Sequence, residues 1–194
     1  MKKMHLYHGT NLAFEQFDKS FARSQNDYYG GGIAYLTDSE KVARGYAEAR
    51  YTQYKGVRLV YEVDFTFKKC FDVDSIYSGS ELKKLLGISK DNWESYARHA
   101  GLLDSSYLKS SGKDKLDVKG DLIDGTINLT GDQVFNMLSK GRTKQADARD
   151  KIIRAGYDSL RYNGGEQVVS RNFGKHNVYI AYNINNLTIT KKYW

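Results

Sequence analysis

Residues 32–54 have the sequence GIAYLTDSEKVARGYAEARYTQY, in which a strand pattern runs directly into a helix pattern. The apolar run at residues 33–36 predicts a short strand. The polar residues 37–39 are each able to cap a helix, and apolar residues then recur near the helical period as far as Tyr54. Lys55-Gly56 ends that pattern. This stretch therefore predicts a strand, a turn and a helix with one apolar face.

Other strand patterns lie on both sides of this stretch and return near the end of the sequence. Residues 5–8 form a short apolar and aromatic run that ends at Gly9, and residues 57–66 alternate in polarity. Further strand patterns lie at residues 71–73, 158–162, 167–170, 178–182 and 187–190. Strands at both ends with helices between them predict an α+β fold rather than a doubly wound parallel sheet.

The middle of the chain, about residues 75–155, has mainly helical patterns. The predicted helices lie at residues 80–86, 91–100, 131–138 and 144–155. Residues 105–125 are rich in Lys, Ser, Asp and Gly and predict an exposed loop between these helices. We therefore predict one domain over residues 1–194, with a mainly helical insertion at about residues 75–155.

Composition excludes several classes of protein. The 194 residues are 40% hydrophobic and 27% charged, which is typical of a globular domain. No apolar run approaches the ~20 residues of a membrane-spanning helix. Cys70 is the sole cysteine, so neither an internal disulfide nor a paired-cysteine metal site can form. Two lysines near Met1 are followed by no apolar run, so we expect no signal peptide and a cytoplasmic protein.

The charge is basic, with 30 Lys and Arg against 23 Asp and Glu and a net charge of +7. This excess favours an anionic partner such as nucleic acid, a nucleotide or an acidic protein surface. Sixteen tyrosines suit a binding surface, although the codon bias of an AT-rich genome accounts for them equally well. Gly30-Gly31-Gly32 opens no helix directly and is not a dinucleotide fingerprint. His5 and His8 point to opposite faces of a strand, so we expect no metal site.

Three motifs follow one another in the chain. His8-Gly9-Thr10 ends the first predicted strand, Tyr35 ends the second, Tyr46 lies eleven positions later, and residues 177–184 form the late run NVYIAYNI. In this order and spacing they resemble the diphtheria-toxin-type ADP-ribosyltransferases, which include the poly(ADP-ribose) polymerases and phage or toxin relatives. That family is marked by a strand ending in His-Gly-Thr or His-Gly-Ser, two tyrosines with ten residues between them, and a late strand carrying a glutamate.

The resemblance covers about residues 4–67 and 156–187 and implies a single ADP-ribosyltransferase-like domain. Its core would be a split antiparallel sheet, with the helical middle as an insertion. It also implies NAD⁺ as a co-substrate and no metal. The co-substrate-binding residues that it implies are His8, Gly9, Thr10, Tyr28, Tyr35, Tyr46 and Val178.

The chemistry implied by the resemblance explains these residue types. The positively charged nicotinamide ring lies between the rings of Tyr35 and Tyr46, and each aromatic face contributes roughly 0.5–2 kcal/mol to its binding. The backbone of Gly9 hydrogen-bonds the carboxamide, since glycine allows close approach to the main chain. His8 donates to the adenosine ribose, and Thr10 assists. The catalytic task is to stabilise the ribosyl cation that forms when the glycosidic bond breaks.

The sequence departs from the family pattern at the glutamate, whose position Val178 occupies. A valine cannot accept a hydrogen bond, so the chain resembles the variant with an apolar third residue, in which mono-transfer is usual and some members are inactive. Glu166 is the candidate replacement carboxylate, and a shift of the alignment would make it the true third residue. The predicted catalytic set is therefore Tyr35, His8 and Glu166.

Other side chains have both a functional and an ordinary interpretation. Arg23 and Arg44 could contact the pyrophosphate or be solvated. Arg171, Lys175 and His176 precede the last core strand, where a basic loop suits a phosphate-bearing acceptor. Without the motif context, His8 is a hydrogen-bonded strand histidine, and the two tyrosines pack the sheet against the helix.

The leading hypothesis is an NAD⁺-dependent mono-ADP-ribosyltransferase that modifies a macromolecular acceptor, with nucleic acid favoured over protein. A phage- or toxin-type effector acting inside bacteria fits the resemblance, with a host target or an antitoxin as a further partner and no membrane. The alternatives are a catalytically inactive binding module and an NAD⁺ glycohydrolase. An RNA 2′-phosphotransferase ranks last because the arginine-histidine-arginine set of that family is not found.

Overall fold

A computed structural model describes residues 1–21, 27–166 and 174–194, except for the side chains of Phe21 and Glu166. The chain divides into two compact units. The first contains Met1–Arg23, Gly32–Phe71 and Tyr157–Trp194, and the second contains Ser24–Gly31 and Asp72–Gly156. The second unit coincides largely with the range in which the sequence predicts a helical insertion. The domain organisation itself stays a prediction.

The strands described in the first unit and at its border form one sheet with the order β4-β7-β8-β2-β1-β3-β9. Their bounds are β1 Lys2–Thr10, β2 Ala34–Thr37, β3 Leu59–Phe67, β4 Cys70–Asp72, β7 Ser159–Asn163, β8 Asn177–Ala181 and β9 Leu187–Tyr193. Pairing is antiparallel between β1 and β2, β1 and β3, β2 and β8, β3 and β9, and β7 and β8. With the helices described below, this confirms a mixed α+β fold. The split of the sheet that the resemblance implies stays a prediction.

The pairing between β1 and β2 is much shorter than the pairing between β1 and β3. β1 pairs with β3 along its whole length, from Lys2↔Phe67 to Thr10↔Leu59. By contrast, β1 and β2 share the single registered pair Tyr7↔Thr37. Registered pairing between the two strands therefore ends at Tyr7, before the end of β1 that carries the predicted site residues.

The helix predicted after the second strand is confirmed as α1, Glu40–Tyr54. Ser39 is its N-cap, and its hydroxyl accepts a hydrogen bond from the Val42 amide at 3.3 Å. The buried residues Val42, Ala43 and Ala47 form its apolar face, which packs against β1, β2 and β3.

The other face of the sheet carries the hydrophobic core of the first unit, and alternation along the strands explains its composition. Tyr61, Val63 and Phe65 all point into it, as the polarity pattern of residues 57–66 predicts. The buried members of this core are Leu6, Phe17, Ala34, Leu36, Tyr61, Val63, Phe65, Phe67, Tyr179 and Ala181.

The second unit is mainly helical in its described part. Its helices are α2 Gly79–Leu86, α3 Trp93–His99, α4 Ser105–Ser111, α5 Lys115–Asp124, α6 Gly131–Leu138 and α7 Gln145–Arg154. The strands β5, Ile76–Tyr77, and β6, Leu129–Thr130, pair with each other. The sequence patterns predicted α2, α3, α6 and α7, and the capping box of Thr130 with Gln133 starts α6.

The exposed loop predicted at residues 105–125 is wrong, because α4 and α5 occupy this range. Asp114 caps α5 by accepting from the amides of Leu116 and Asp117. The buried residues Val118 and Leu122 are four positions apart and anchor one face of that helix. A polar composition concealed a helix whose start is set by its cap and whose packing depends on two apolar side chains.

No helix in the described ranges is long and apolar enough to cross a membrane. The strand predicted at residues 167–170 lies outside the described residues.

Candidate functional site

His8 is held in one orientation by contacts on several sides. Its Nδ1 donates a hydrogen bond to the carbonyl oxygen of Tyr35 at 2.9 Å. Its half-buried ring lies 5.4 Å from the Phe17 ring and 6.0 Å from the Phe14 ring, between centroids. Tyr61 stacks on Phe14 and bonds to its backbone amide and carbonyl through the phenol oxygen. Because Nδ1 is the donor, Nε2 of the neutral imidazole can act only as an acceptor, so the donor role toward the ribose that the resemblance implies for His8 does not fit the neutral ring.

The backbone of Gly9 faces the edge of β1 at which pairing with β2 ends. The Asp38 amide donates to the Asn177 carbonyl of β8. Because successive residues of a strand direct their backbone groups to opposite sides, those of Thr37 and Tyr35 point toward β1. Tyr7 pairs with Thr37 there. The backbone groups of Gly9 point to the same side as those of Tyr7, because the two residues are two positions apart in the strand. The Gly9 amide and carbonyl therefore face β2 beyond the last registered pair, at a gap in the pairing between the two strands.

Glycine is required at position 9 because helix α1 passes directly over it. A Cβ on Gly9 would overlap the carbonyl oxygen of Ala43 and lie 2.6 Å from the carbonyl carbon. Backbone atoms of a helix cannot move aside as a flexible side chain can. The sequence motif thus has a packing reason that is independent of any ligand.

Tyr35 and Tyr46 lie on the elements that flank this gap. Tyr35 belongs to β2 and is half-buried, with its hydroxyl buried. Tyr46 lies on α1 one turn beyond Ala43 and is also half-buried, so part of each residue stays exposed to solvent. Thr10 is buried, and its hydroxyl accepts a hydrogen bond from the Leu12 amide at 3.2 Å, which fixes the turn after β1.

Val178 is buried in β8, opposite Thr37 of β2 and Tyr162 of β7. No carboxylate therefore occupies this register position of the sheet. Beside it, the Asn177 side-chain oxygen accepts a hydrogen bond from the Arg161 guanidinium at 2.6 Å. The Asn177 backbone amide donates to the Asp38 carboxylate at 2.9 Å. This network joins β7, β8 and the end of β2.

A family model described as "ADP-Ribosyltransferase in polyvalent proteins" matches residues 2–187. The chain belongs to this family of ADP-ribosyltransferase domains. ADP-ribosyltransferases use NAD⁺ as co-substrate. The match supports the ADP-ribosyltransferase family that the motifs at His8 and Tyr35 indicate.

Other comparisons add little. A solved structure described as "Crystal structure of an anti-CRISPR protein" covers 98% of this chain and 96% of its own, at 12% identity and a TM-score of 0.35. A similarity this low carries no argument about the domain. The comparison with curated proteins found no match.

The NAD⁺-binding roles of these residues stay predictions, and the groups present are chemically compatible with the nicotinamide end of NAD⁺. Gly9 offers an amide donor and a carbonyl acceptor on one edge, which is what a carboxamide requires, and Tyr35 and Tyr46 offer partly exposed aromatic residues. The ribose hydroxyl that the family glutamate binds has no acceptor at this position, because Val178 is buried and its side chain has no polar atom. Within the described ranges, no group of three His, Cys, Asp or Glu residues is placed to hold a metal ion.

Glu166 ends a short 3₁₀ helix, Gly164–Glu166, that follows β7. Its side chain lies outside the described part of the chain, so its catalytic role stays a prediction. The start of this 3₁₀ helix is tightly packed, since a Cβ on Gly164 would overlap His176 and lie 2.7 Å from a Val178 methyl group.

Tyr28 belongs to the second unit of the ADP-ribosyltransferase domain, unlike the other predicted co-substrate residues. The Arg142 guanidinium lies 3.8 Å from the centre of its ring and donates to its backbone carbonyl at 3.0 Å. Arg142 also pairs with Asp132 and covers the ring of Tyr29. Burial, and secondarily the Asp132 carboxylate, raises the pKa of Tyr29 above its usual value. Sequence patterns gave no signal for this cluster of Arg142, Asp132, Tyr28 and Tyr29.

The basic residues proposed from the sequence separate into different environments. Arg44 pairs with Glu40 at 2.8 Å on the surface of α1. His176 is buried and its Nδ1 donates to the Gly174 carbonyl at 2.9 Å, whereas Lys175 is exposed. Arg23 and Arg171 lie outside the described residues. Among the described residues just before β8, Lys175 is therefore the exposed basic side chain.

Proposed function

We propose that this domain is an NAD⁺-dependent mono-ADP-ribosyltransferase whose acceptor is a macromolecule, with nucleic acid favoured over protein. The observation that carries the proposal is the end of registered pairing between β1 and β2 at the pair Tyr7↔Thr37. This end of pairing leaves the backbone groups of Gly9 without a registered partner in β2, beside a fixed His8. It also supports a sheet divided into a β9-β3-β1 half and a β2-β8-β7-β4 half.

Each residue is proposed to have the role that its chemistry suits. The Gly9 amide and carbonyl orient the carboxamide, and the Tyr35 and Tyr46 rings stabilise the cationic pyridine ring. The Nδ1 bond to the Tyr35 carbonyl fixes the His8 ring, and its Nε2 accepts a hydrogen bond from a ribose hydroxyl. NAD⁺ supplies the ADP-ribosyl group, which passes to a nucleophile of the acceptor while nicotinamide leaves.

Val178 supports transfer of a single ADP-ribose. Chain elongation requires a group that binds the ribose and positions a second ribose hydroxyl, and a buried valine has no atom for this task. Glu166 is proposed as the carboxylate that assists the acceptor, since it ends the 3₁₀ helix that follows β7, the neighbour of β8 in the sheet. The same valine also favours the second candidate, an inactive binding module.

The net charge of +7 supports a nucleic acid acceptor, because each phosphate contact gains from counterion release. The test is incubation of the full chain with NAD⁺ labelled in the adenylate, together with RNA, DNA or protein, and with nicotinamide release measured in parallel. Label on nucleic acid that nuclease removes and protease leaves is the expected result.

Other outcomes assign the alternatives. Free ADP-ribose formed at the same rate without any macromolecule would identify an NAD⁺ glycohydrolase. Neither nicotinamide release nor labelling would identify an inactive module. Glu166→Gln keeps the size of the side chain and removes its charge, so unchanged transfer by this variant would exclude Glu166 as the assisting carboxylate.

A further inference from the structure

A groove of about 400 Å³ opens on the first unit, where α1 ends and β3 begins. Its lining residues are Tyr51, Gly56, Val57, Arg58, Leu59 and Trp194. The pairing of Val60 with Tyr193 carries Trp194 to this end of β3.

The groove combines exposed aromatic surface with arginines. Trp194 is 48% exposed. The Arg58 guanidinium lies 4.2 Å from the ring centre of Tyr51 and 5.7 Å from that of Trp194. The Arg44 guanidinium lies 5.8 Å from the ring centre of Trp194. Flat aromatic faces and guanidinium planes are the two kinds of surface on which unpaired nucleobases stack.

The surrounding segment is strongly basic. Residues 40–58 contain five basic residues, Lys41, Arg44, Arg50, Lys55 and Arg58, and two acidic ones, Glu40 and Glu48, which leaves a net charge of +3. The two acidic residues hold the arginines in place, with Arg58 paired to Glu48 at 2.9 Å and Arg44 to Glu40 at 2.8 Å. This charge complements a phosphate backbone.

The groove is built onto the strand that carries the proposed co-substrate residues. The Asn11 carbonyl accepts from the Val57 amide at 3.0 Å, and the Asn11 side chain donates to the Lys55 carbonyl at 2.8 Å. Asn11 directly follows Thr10, and Thr10 pairs with the lining residue Leu59. A polymer in the groove would therefore lie at β3, and β3 is one strand spacing, about 5 Å, from β1.

We propose that this groove binds the acceptor as a single-stranded nucleic acid, with bases stacked at Trp194 and Tyr51 and phosphates neutralised by Arg44, Arg50, Lys55 and Arg58. The assignment of the bound strand as the acceptor rests on the proposed function. A single strand is required because the bases of a duplex already stack on each other and present only edges.

The test measures binding of a fluorescently labelled single-stranded oligonucleotide to the full chain by anisotropy, without NAD⁺. Trp194→Ala should weaken binding by about fivefold or more, the loss expected for one stacked base, whereas Trp194→Phe keeps an aromatic face and should stay within about twofold. Trp194→Ala is expected to fold, because the side chain is nearly half exposed.

A second measurement separates stacking from charge. Bases that stack on Trp194 should quench its fluorescence, and this quenching should vanish in Trp194→Phe while anisotropy still reports binding. The other tryptophan, Trp93, is buried in the second unit and gives no such signal. Arg58→Ala should weaken binding more than Lys84→Ala, which removes the same charge from the exposed surface of α2.

Unchanged affinity in Trp194→Ala, equal affinity for duplex and single strand, or no binding would each overturn the inference. Its failure is distinguishable from failure of the proposed function. Nicotinamide release without oligonucleotide binding refutes the groove and leaves the transferase, whereas Trp194-dependent binding without nicotinamide release leaves the groove and refutes the transferase.

Discussion

Replacing Gly9 with alanine tests the contact between β1 and α1 on which the candidate site depends. The added Cβ would lie 2.6 Å from the Ala43 carbonyl carbon, where ordinary contact begins at 3.4 Å, and would overlap the carbonyl oxygen. Strand and helix must therefore separate by about 1 Å, and overpacking of this kind costs typically 1–3 kcal/mol. We expect about 3 kcal/mol, since the obstructing atoms are helix backbone and cannot rotate away.

The assay is urea unfolding followed by far-UV circular dichroism, with hydrogen exchange to locate the change in β1 and α1. Gly120→Ala is the matched control, because Gly120 lies in α5 and a Cβ there meets nothing within 4 Å. This control should gain about 0.5–1 kcal/mol. Ala43→Gly should not rescue Gly9→Ala, since the clash is with the backbone. A Gly9→Ala variant as stable as the wild type, or rescue by Ala43→Gly, would refute the packing argument.

Three further predictions concern other parts of the chain. Tyr35→Ala should lower nicotinamide release by about 2- to 30-fold through loss of one aromatic face, whereas Tyr35→Phe should retain most of it; equal losses in the two variants would contradict stacking. Asp114→Ala removes the cap of α5 and should lower the free energy of unfolding by about 1 kcal/mol, measured by urea titration, with no effect if the helix begins elsewhere. The raised pKa of Tyr29 favours its neutral form in the folded state, so stability is full below about pH 10 and falls as the pH rises further. Tyr29→Phe should flatten that alkaline fall in melting temperature, and a fall of unchanged slope would assign it to other groups.

Local patterns predicted those elements whose signals are short-range. The strand before α1, the helix itself and its polar cap could all be predicted because hydrophobic period and capping depend on residues within one or two turns. The motifs at His8, Tyr35 and Tyr46 likewise indicated the ADP-ribosyltransferase family that the match over residues 2–187 supports. The loop predicted at residues 105–125 failed because two buried apolar side chains in a polar segment are too few to show a period.

Features that depend on strand register and on packing between elements had no such signal. The sequence alone placed a glycine after His8, but only the passage of α1 over β1 explains why that residue must be glycine. It placed His8 before Tyr35 in the chain, but only the end of pairing after Tyr7 brings the imidazole to the Tyr35 carbonyl. The chain by itself thus determined the local elements and the residue types of the site. The tertiary structure decided which backbone edges are open, because hydrogen bonding between strands joins residues far apart in sequence.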